Sequence, residues 1–241
     1  MGRVPRSLGA ALGGLCASKE PAIHTTNKKP MQNKLFLSFL TLGTAFSIAG
    51  ANDTTMWVGN AVAALDTIAG STHGIRREQL ANADCIAVIP GFKKGAAVVG
   101  FGYGRGFVSC RNGGNWSAPG AITLETASLG VQVGGEEIDI VALSLDKKLR
   151  SKLLFDRFTI GSDASAAWGN GKSAHDDPNA KILFYGYTKG TFAGFGLDGA
   201  TLKPNESGIK ALYGKALSNA EIVQGGAETL RGCAVAHHKA T

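Results

Sequence analysis

The chain has 241 residues, 44% of them hydrophobic and 18% charged, with 34 glycines and 7 prolines. That composition excludes an intrinsically disordered chain, which holds fewer apolar residues and more net charge. The net charge of +7 is uneven: residues 1–51 hold six bases and one acid, which leaves 19 bases and 17 acids in residues 52–241, so the basic balance is no ground for nucleic-acid binding.

Leu35 to Ala51 is a run of seventeen uncharged residues, preceded by Lys34 and closed by Ala49-Gly50-Ala51. A basic flank, an apolar run and an A-x-A end predict a secretory signal peptide over 31–51, with cleavage before Asn52. A retained membrane anchor is the alternative, although the run falls short of the ~20 residues of a spanning helix. Residues 1–30, ahead of Met31, read as an upstream extension. Export predicts a periplasmic or secreted protein in an oxidising compartment, with one cysteine pair and one cysteine left over among Cys85, Cys110 and Cys233. Cys85 and Cys110 are the favoured pair, closing a loop of about 25 residues for roughly 3 kcal/mol. In a simple meander they fall on outer strands, so pairing requires the first strand to approach the third. Two buried thiols are the alternative.

Trp57, Val58, Ala61, Val62, Leu65 and Ile68 recur at helical spacing, which predicts an amphipathic helix over Thr54–Ile68, stopped by Gly70. It packs on a core or touches a membrane surface. From Asp84 the pattern turns to strands. Cys85 to Ile89 is a short apolar run ended by Pro90-Gly91, with Lys93-Lys94 at a turn. Val98 to Val108 alternates, Phe101, Tyr103, Arg105 and Phe107 on one face and Gly100, Gly102, Gly104 and Gly106 on the other. Such a glycine stripe admits a close backbone approach or a sharp bend of the sheet. Strands follow at 121–126, 128–133, 138–145, 157–160 and 164–168, with a hairpin over 181–197. Helices are predicted at 146–154 and 205–217. The whole reads as α+β, mainly antiparallel: a bent sheet, barrel or sandwich of short glycine-rich strands with an N-terminal amphipathic helix and two or three flanking helices.

Catalytic patterns are missing. The glycines at 100–106 do not fit the dinucleotide fingerprint, and Gly171-Lys172-Ser173 lacks the first glycine of a phosphate loop. Neither G-x-S-x-G nor H-E-x-x-H occurs. No C-x-x-C supports zinc. His175-Asp176-Asp177 reads as a polar loop and Glu136-Glu137 as a solvated turn. No catalytic residue, metal, nucleotide or cofactor is expected. What remains is basic clusters, Lys93-Lys94 and Lys147-Lys148-Arg150-Lys152. They are either solvated surface or contacts for anionic lipid headgroups, each base near such a surface contributing ~1 kcal/mol.

The stretches AVIPGFKKGAAVVGFGYGRGFVSCR and NWSAPGAITLETASLGVQVGGEEIDIVALSL, then RFTIGSDASAAWG and ILFYGYTKGTFAGFGLDGATLKPN, resemble the SYLF domain family in its bacterial exported form. The resemblance runs over roughly 68–214. It implies a non-enzymatic module for phosphoinositides and other anionic phospholipids, with actin binding in one branch that an exported chain would not meet. It also implies lipid contacts through basic residues and an N-terminal amphipathic segment, here Lys93, Lys94, Arg105 and the helix that carries Trp57. The predicted organisation is a helix over 52–76, a SYLF-like domain over 77–232 and a loose tail over 233–241. Two alternatives stand beside lipid binding: an envelope structural or protein-interaction module, and an enzyme with an unrecognised site.

Overall fold

The computed structural model describes residues 49–72, 74–96, 99–129, 134–168, 180–188, 191–192 and 199–226. Most of the predicted signal peptide, the segment 1–30, the histidine–aspartate run at 175–177 and the tail lie outside them.

Helix α1 (Ala49–Gly70) is followed by the short α2 (Arg77–Asn82), then by strands β1 (Cys85–Ala96), β2 (Val99–Asn112), β3 (Asn115–Trp116), β4 (Gly120–Leu129) and β5 (Gly134–Ser144). Helix α3 (Leu149–Phe155) leads to β6 (Phe158–Thr159), β7 (Ala166–Trp168), β8 (Ile182–Thr188), β9 (Thr191–Phe192) and β10 (Thr201–Pro204). Helices α4 (Glu206–Tyr213) and α5 (Asn219–Glu221) end the order, before a kinked π-turn at Ile222–Gly226. The strands form one strongly curled half-barrel sheet in the order β6-β10-β4-β2-β1-β5-β8-β7, with β3 on β2 and β9 on β8. Among the described residues, every pairing of these strands is antiparallel except β7 with β8. The fold is the α+β, mainly antiparallel architecture expected.

The curl has a local cause. Gly102, Gly104 and Gly106 face the inside of the sheet, and Phe92 and Ile89 of β1 occupy the space their side chains would take. Between Val88 and Lys93 the register slips by one residue at Pro90-Gly91. Gly91 takes φ +58° there, and a proline inside a sheet is tolerated at such a bulge, where one backbone N–H is not needed by the ladder. The expected end of the strand at Pro90 is therefore a kink within a twelve-residue strand. Lys93 and Lys94 stand in that strand rather than at a turn, opposite Glu137 and Glu136 of β5. Glu136-Glu137 is likewise strand, not a turn. The two strands expected at 121–126 and 128–133 are one through Leu129.

Both faces of the middle strands are covered. Inside, Ala87, Ile89, Phe92, Ile138 and Ile140 pack with Leu149, Leu153 and Leu154 of α3. Outside, Ile86, Val88, Phe107 and Val141 pack with Val58, Ala61, Leu65 and Ile68 of α1 and with Ile209 and Leu212 of α4. The apolar face of α1 is thus spent on the sheet, which is the core reading of that helix rather than the membrane-surface one. Helix α4 begins at Asn205, whose Oδ1 accepts from the Gly208 N–H at 2.9 Å. It ends at Gly214, φ +70°, shorter than the expected 205–217 because only a left-handed residue closes the last turn. Helix α2 gave no signal because it offers the core a single side chain, Leu80.

A disulfide joins Cys85 to Cys110. The two face each other directly in the β1–β2 ladder, because β2 runs on past the glycine stripe to Asn112. The expected obstacle disappears: no third strand has to be reached, and the Cα atoms lie 3.9 Å apart in a narrow cross-strand pair.

Two tyrosines in the outer core make stability sensitive to alkali. Burial pushes the Tyr185 hydroxyl up to about 12, against a smaller lowering by Arg76. Burial also raises Tyr213, whose hydroxyl donates to the Pro119 carbonyl at 2.7 Å. An unfolded tyrosine ionises near 10, so above that pH the unfolded chain binds fewer protons than the folded one and stability falls. The Tyr185 contribution is complete below pH 10 and is lost progressively from pH 10 to 12, by about 2–3 kcal/mol, and Tyr213 acts in the same direction. Urea melts across that window test the slope; Tyr185→Phe flattens it.

Candidate functional site

The outer face of β1, β2 and β5 and the exposed side of α1 enclose a cleft of about 620 Å³. The parity of the strands decides what enters it. Phe107 of β2 and Val141 of β5 point outward into the core beneath α1. Tyr103 and Arg105, in phase with Phe107, and Glu137 and Asp139, in phase with Val141, therefore share that face. The one-residue bulge at Pro90-Gly91 brings Lys93 into the same row, paired with Tyr103 on one side and Glu137 on the other. Without the bulge, Lys93 would fall on the other face.

Three of the residues singled out in the sequence meet here. Trp57 of α1 tilts on Phe107 with ring centroids 4.2 Å apart, and its indole N–H donates to the Arg105 carbonyl at 3.4 Å. The Arg105 guanidinium stands 5.1 Å over the Trp57 ring. Packing on the indole holds the guanidinium at the cleft, a contact a lysine ammonium reproduces poorly. Lys93 lines the cleft beside them. Around it Met56, Phe101 and Tyr103 are the most exposed apolar side chains on this side, at 67%, 64% and 51%. Periodicity marked Phe101 and Tyr103 as one stripe, but assigned Met56 no role. Lys94 stands next to Lys93 in β1 but belongs to the other parity.

The second basic cluster does not join them. Asp84, buried just before β1, accepts from Arg150 Nε at 2.9 Å and from its Nη2, a two-pronged ion pair. Lys152 pairs with Asp163 at 2.9 Å, whose carboxyl is held below the usual range by the Thr159 N–H and then by Lys152. Lys147 and Lys148 are exposed beside them. Asp84 and Lys93 are nine residues apart along one strand, roughly 30 Å. Arg150 and Lys152 are thus engaged in holding α3 to the sheet.

A second cleft, of about 630 Å³, lies between Leu154 and Phe155 of α3 and Ile209 of α4, and contains none of the predicted residues. Among the described residues no cluster of histidine, cysteine or acidic side chains can hold a metal. No described helix is long and apolar enough to cross a membrane.

These features define an α+β domain: a curled sheet with a cleft of aromatic and charged side chains under its N-terminal helix. The Ysc84 family model, described as "Las17-binding protein actin regulator", matches residues 125–235, so this part of the chain is similar to the Ysc84, or SYLF, domain. Protein YSC84 of Saccharomyces cerevisiae is 30% identical over 155 residues, 61% of this chain and 33% of that protein. SH3 domain-containing YSC84-like protein 1 of Xenopus laevis is 31% identical over 143 residues, 56% and 42% respectively. LAS seventeen-binding protein 3 of Saccharomyces cerevisiae is 29% identical over 165 residues, 65% and 36%. The chain therefore spans about a third to two-fifths of the length of these relatives. No solved structure matches it.

Proposed function

We propose that the protein is a non-enzymatic, exported phospholipid-binding module that docks on anionic membrane surfaces through the cleft under α1. The observation that carries this reading is the convergence of Lys93, Arg105 and Trp57 on one cleft edged by exposed Met56 and Tyr103, with exposed Phe101 two residues along β2 on the same face. Bases meet lipid phosphate, and apolar side chains beside them enter the interface, where aromatic rings are favoured. Trp57 positions Arg105 rather than entering lipid itself. Lys94 adds charge nearby. Lys147 and Lys148 contribute to general attraction only. Export is supported by the apolar run before Asn52 and by the Cys85–Cys110 disulfide, which persists in an oxidising compartment.

The test is co-sedimentation of the full chain with vesicles of neutral and of anionic phospholipid at low and high salt. Binding to anionic vesicles that weakens with salt supports headgroup recognition. Equal absence of binding to both contradicts it. A second reading has its own observation: the matched family is described by the binding of another protein, and LAS seventeen-binding protein 3 carries that binding in its name. The same cleft then takes a protein partner, an envelope component in an exported chain. Capture of one defined partner, lost on substituting Arg105, favours it.

A further inference from the structure

The headgroup contact proposed above uses Lys93 and Arg105 and leaves the opposite flank of the cleft without a role. That flank is acidic: Asp53 of α1 and Glu137 and Asp139 of β5 also line the cleft. The register fixes the arrangement. Tyr103, Lys93 and Glu137 form one row across β2, β1 and β5, and Arg105 and Asp139 stand two residues further along their strands. Arg105 on β2 and the carboxylates on β5 stand two strand spacings apart, roughly 9–10 Å, with Lys93 on β1 between them and one spacing from Glu137.

The carboxylates are gathered at the bulge. Asp139 Oδ1 accepts from the Gly91 N–H at 2.8 Å. The Glu137 carboxylate lies over the same residue, where a Cβ would come within 2.8 Å of its Oε1. The ion pairs of the described residues are elsewhere, at Asp84, Asp163, Asp146 and Glu125. Lys93 and Arg105 therefore do not neutralise this flank by direct contact.

With two cations against three carboxylates, a ligand carrying only negative charge meets repulsion from Glu137 and Asp139 within a few ångströms. A ligand carrying a phosphate and an ammonium a short chain apart satisfies both flanks. A primary ammonium has three N–H donors for carboxylate oxygens, which a quaternary one lacks. We infer that the cleft takes a phosphoethanolamine group, with its phosphate at Lys93 and Arg105 and its ammonium at Glu137 and Asp139. This inference rests on the phospholipid reading: anionic lipid draws the bases at the cleft to the surface, and the zwitterionic phosphoethanolamine group is the headgroup that enters between the bases and the carboxylates.

The full chain is tested against vesicles of phosphatidylcholine alone, with added phosphatidylethanolamine, and with added phosphatidylglycerol; soluble phosphoethanolamine is titrated by calorimetry. The expected result is about tenfold tighter binding with phosphatidylethanolamine than with phosphatidylcholine alone. Glu137→Gln removes that gain and strengthens binding to phosphatidylglycerol, because it deletes a carboxylate beside the phosphate. Asp139→Asn keeps an oxygen for the Gly91 N–H and acts in the same direction. Binding to phosphatidylglycerol with no gain from phosphatidylethanolamine leaves the phospholipid reading standing and overturns this inference. Binding of soluble phosphoethanolamine without any vesicle keeps the phosphate–ammonium site and contradicts its lipid source. Binding to none of these overturns both.

Discussion

Gly106→Ala is expected to lower the stability of the protein by about 3 kcal/mol, at the upper end of what one added methyl costs in a packed interior. The reason is what the methyl would meet. A Cβ on Gly106 overlaps the Val88 carbonyl oxygen and comes within 2.9 Å of the Ile89 Cα. Both belong to backbone, fixed in the β1–β2 and β1–β5 ladders just before the bulge. A flexible side chain can turn aside; a strand held on both edges cannot. Gly102 is the milder case, since its Cβ would meet the Phe92 ring and the Thr126 hydroxyl, and alanine there costs about 1–2 kcal/mol. Gly59 gives the opposite sign. It lies within α1 with nothing within 4 Å of its would-be Cβ, and Gly59→Ala stabilises by about 0.5–1 kcal/mol. Urea melts of the three variants test the order. Equal effects at Gly106 and Gly102 would show that backbone approach does not set the curl of the sheet.

Arg150→Ala is expected to cost about 3–4 kcal/mol, because it leaves the Asp84 carboxylate buried without its cation. Asp84 is only 4% exposed, and the Arg150 fork reaches it from α3, across 66 residues of sequence. The pair ties α3 to the start of β1, next to the cysteine that is bonded to Cys110. Its loss therefore loosens the end of the sheet distant from the cleft. Asp84→Asn in the Arg150→Ala background removes the stranded charge and is expected to restore about half the loss. A single Arg150→Ala variant as stable as the parent would mean that water reaches Asp84 and the pair is a surface one.

How far the sequence could be read follows from the range of the signal. The helical spacing from Trp57 to Ile68 and the alternation along β2 are local patterns, and both elements formed where that spacing put them. Pro90-Gly91 has the local signature of a strand end, since proline and glycine mark turns in most local contexts. Only the two neighbouring strands, which supply the ladder on either side, carry β1 through to Ala96. That signature also hides the site. Once Lys93 is in a strand, its partners are Tyr103 and Glu137, 10 and 44 residues away, and no spacing rule links them. The cluster at 147–152 shows the same limit: four bases on one short segment carry no local sign that two of them answer carboxylates at Asp84 and Asp163, which only the fold brings near. The meander pictured for the cysteines failed on length. Fourteen residues of continuous β2 bring Cys110 back beside Cys85.

The central claim is that the cleft under α1, and not the basic segment of α3, meets the membrane. The most direct measurement compares two double variants of the full chain on anionic vesicles at low salt. Lys93→Ala with Arg105→Ala is expected to weaken binding by about 2 kcal/mol, roughly thirtyfold. Lys147→Ala with Lys148→Ala, which removes the same charge from the far end of the sheet, is expected to change it less than threefold. Equal losses in the two variants would contradict the account and reduce binding to diffuse attraction by the net charge of the chain.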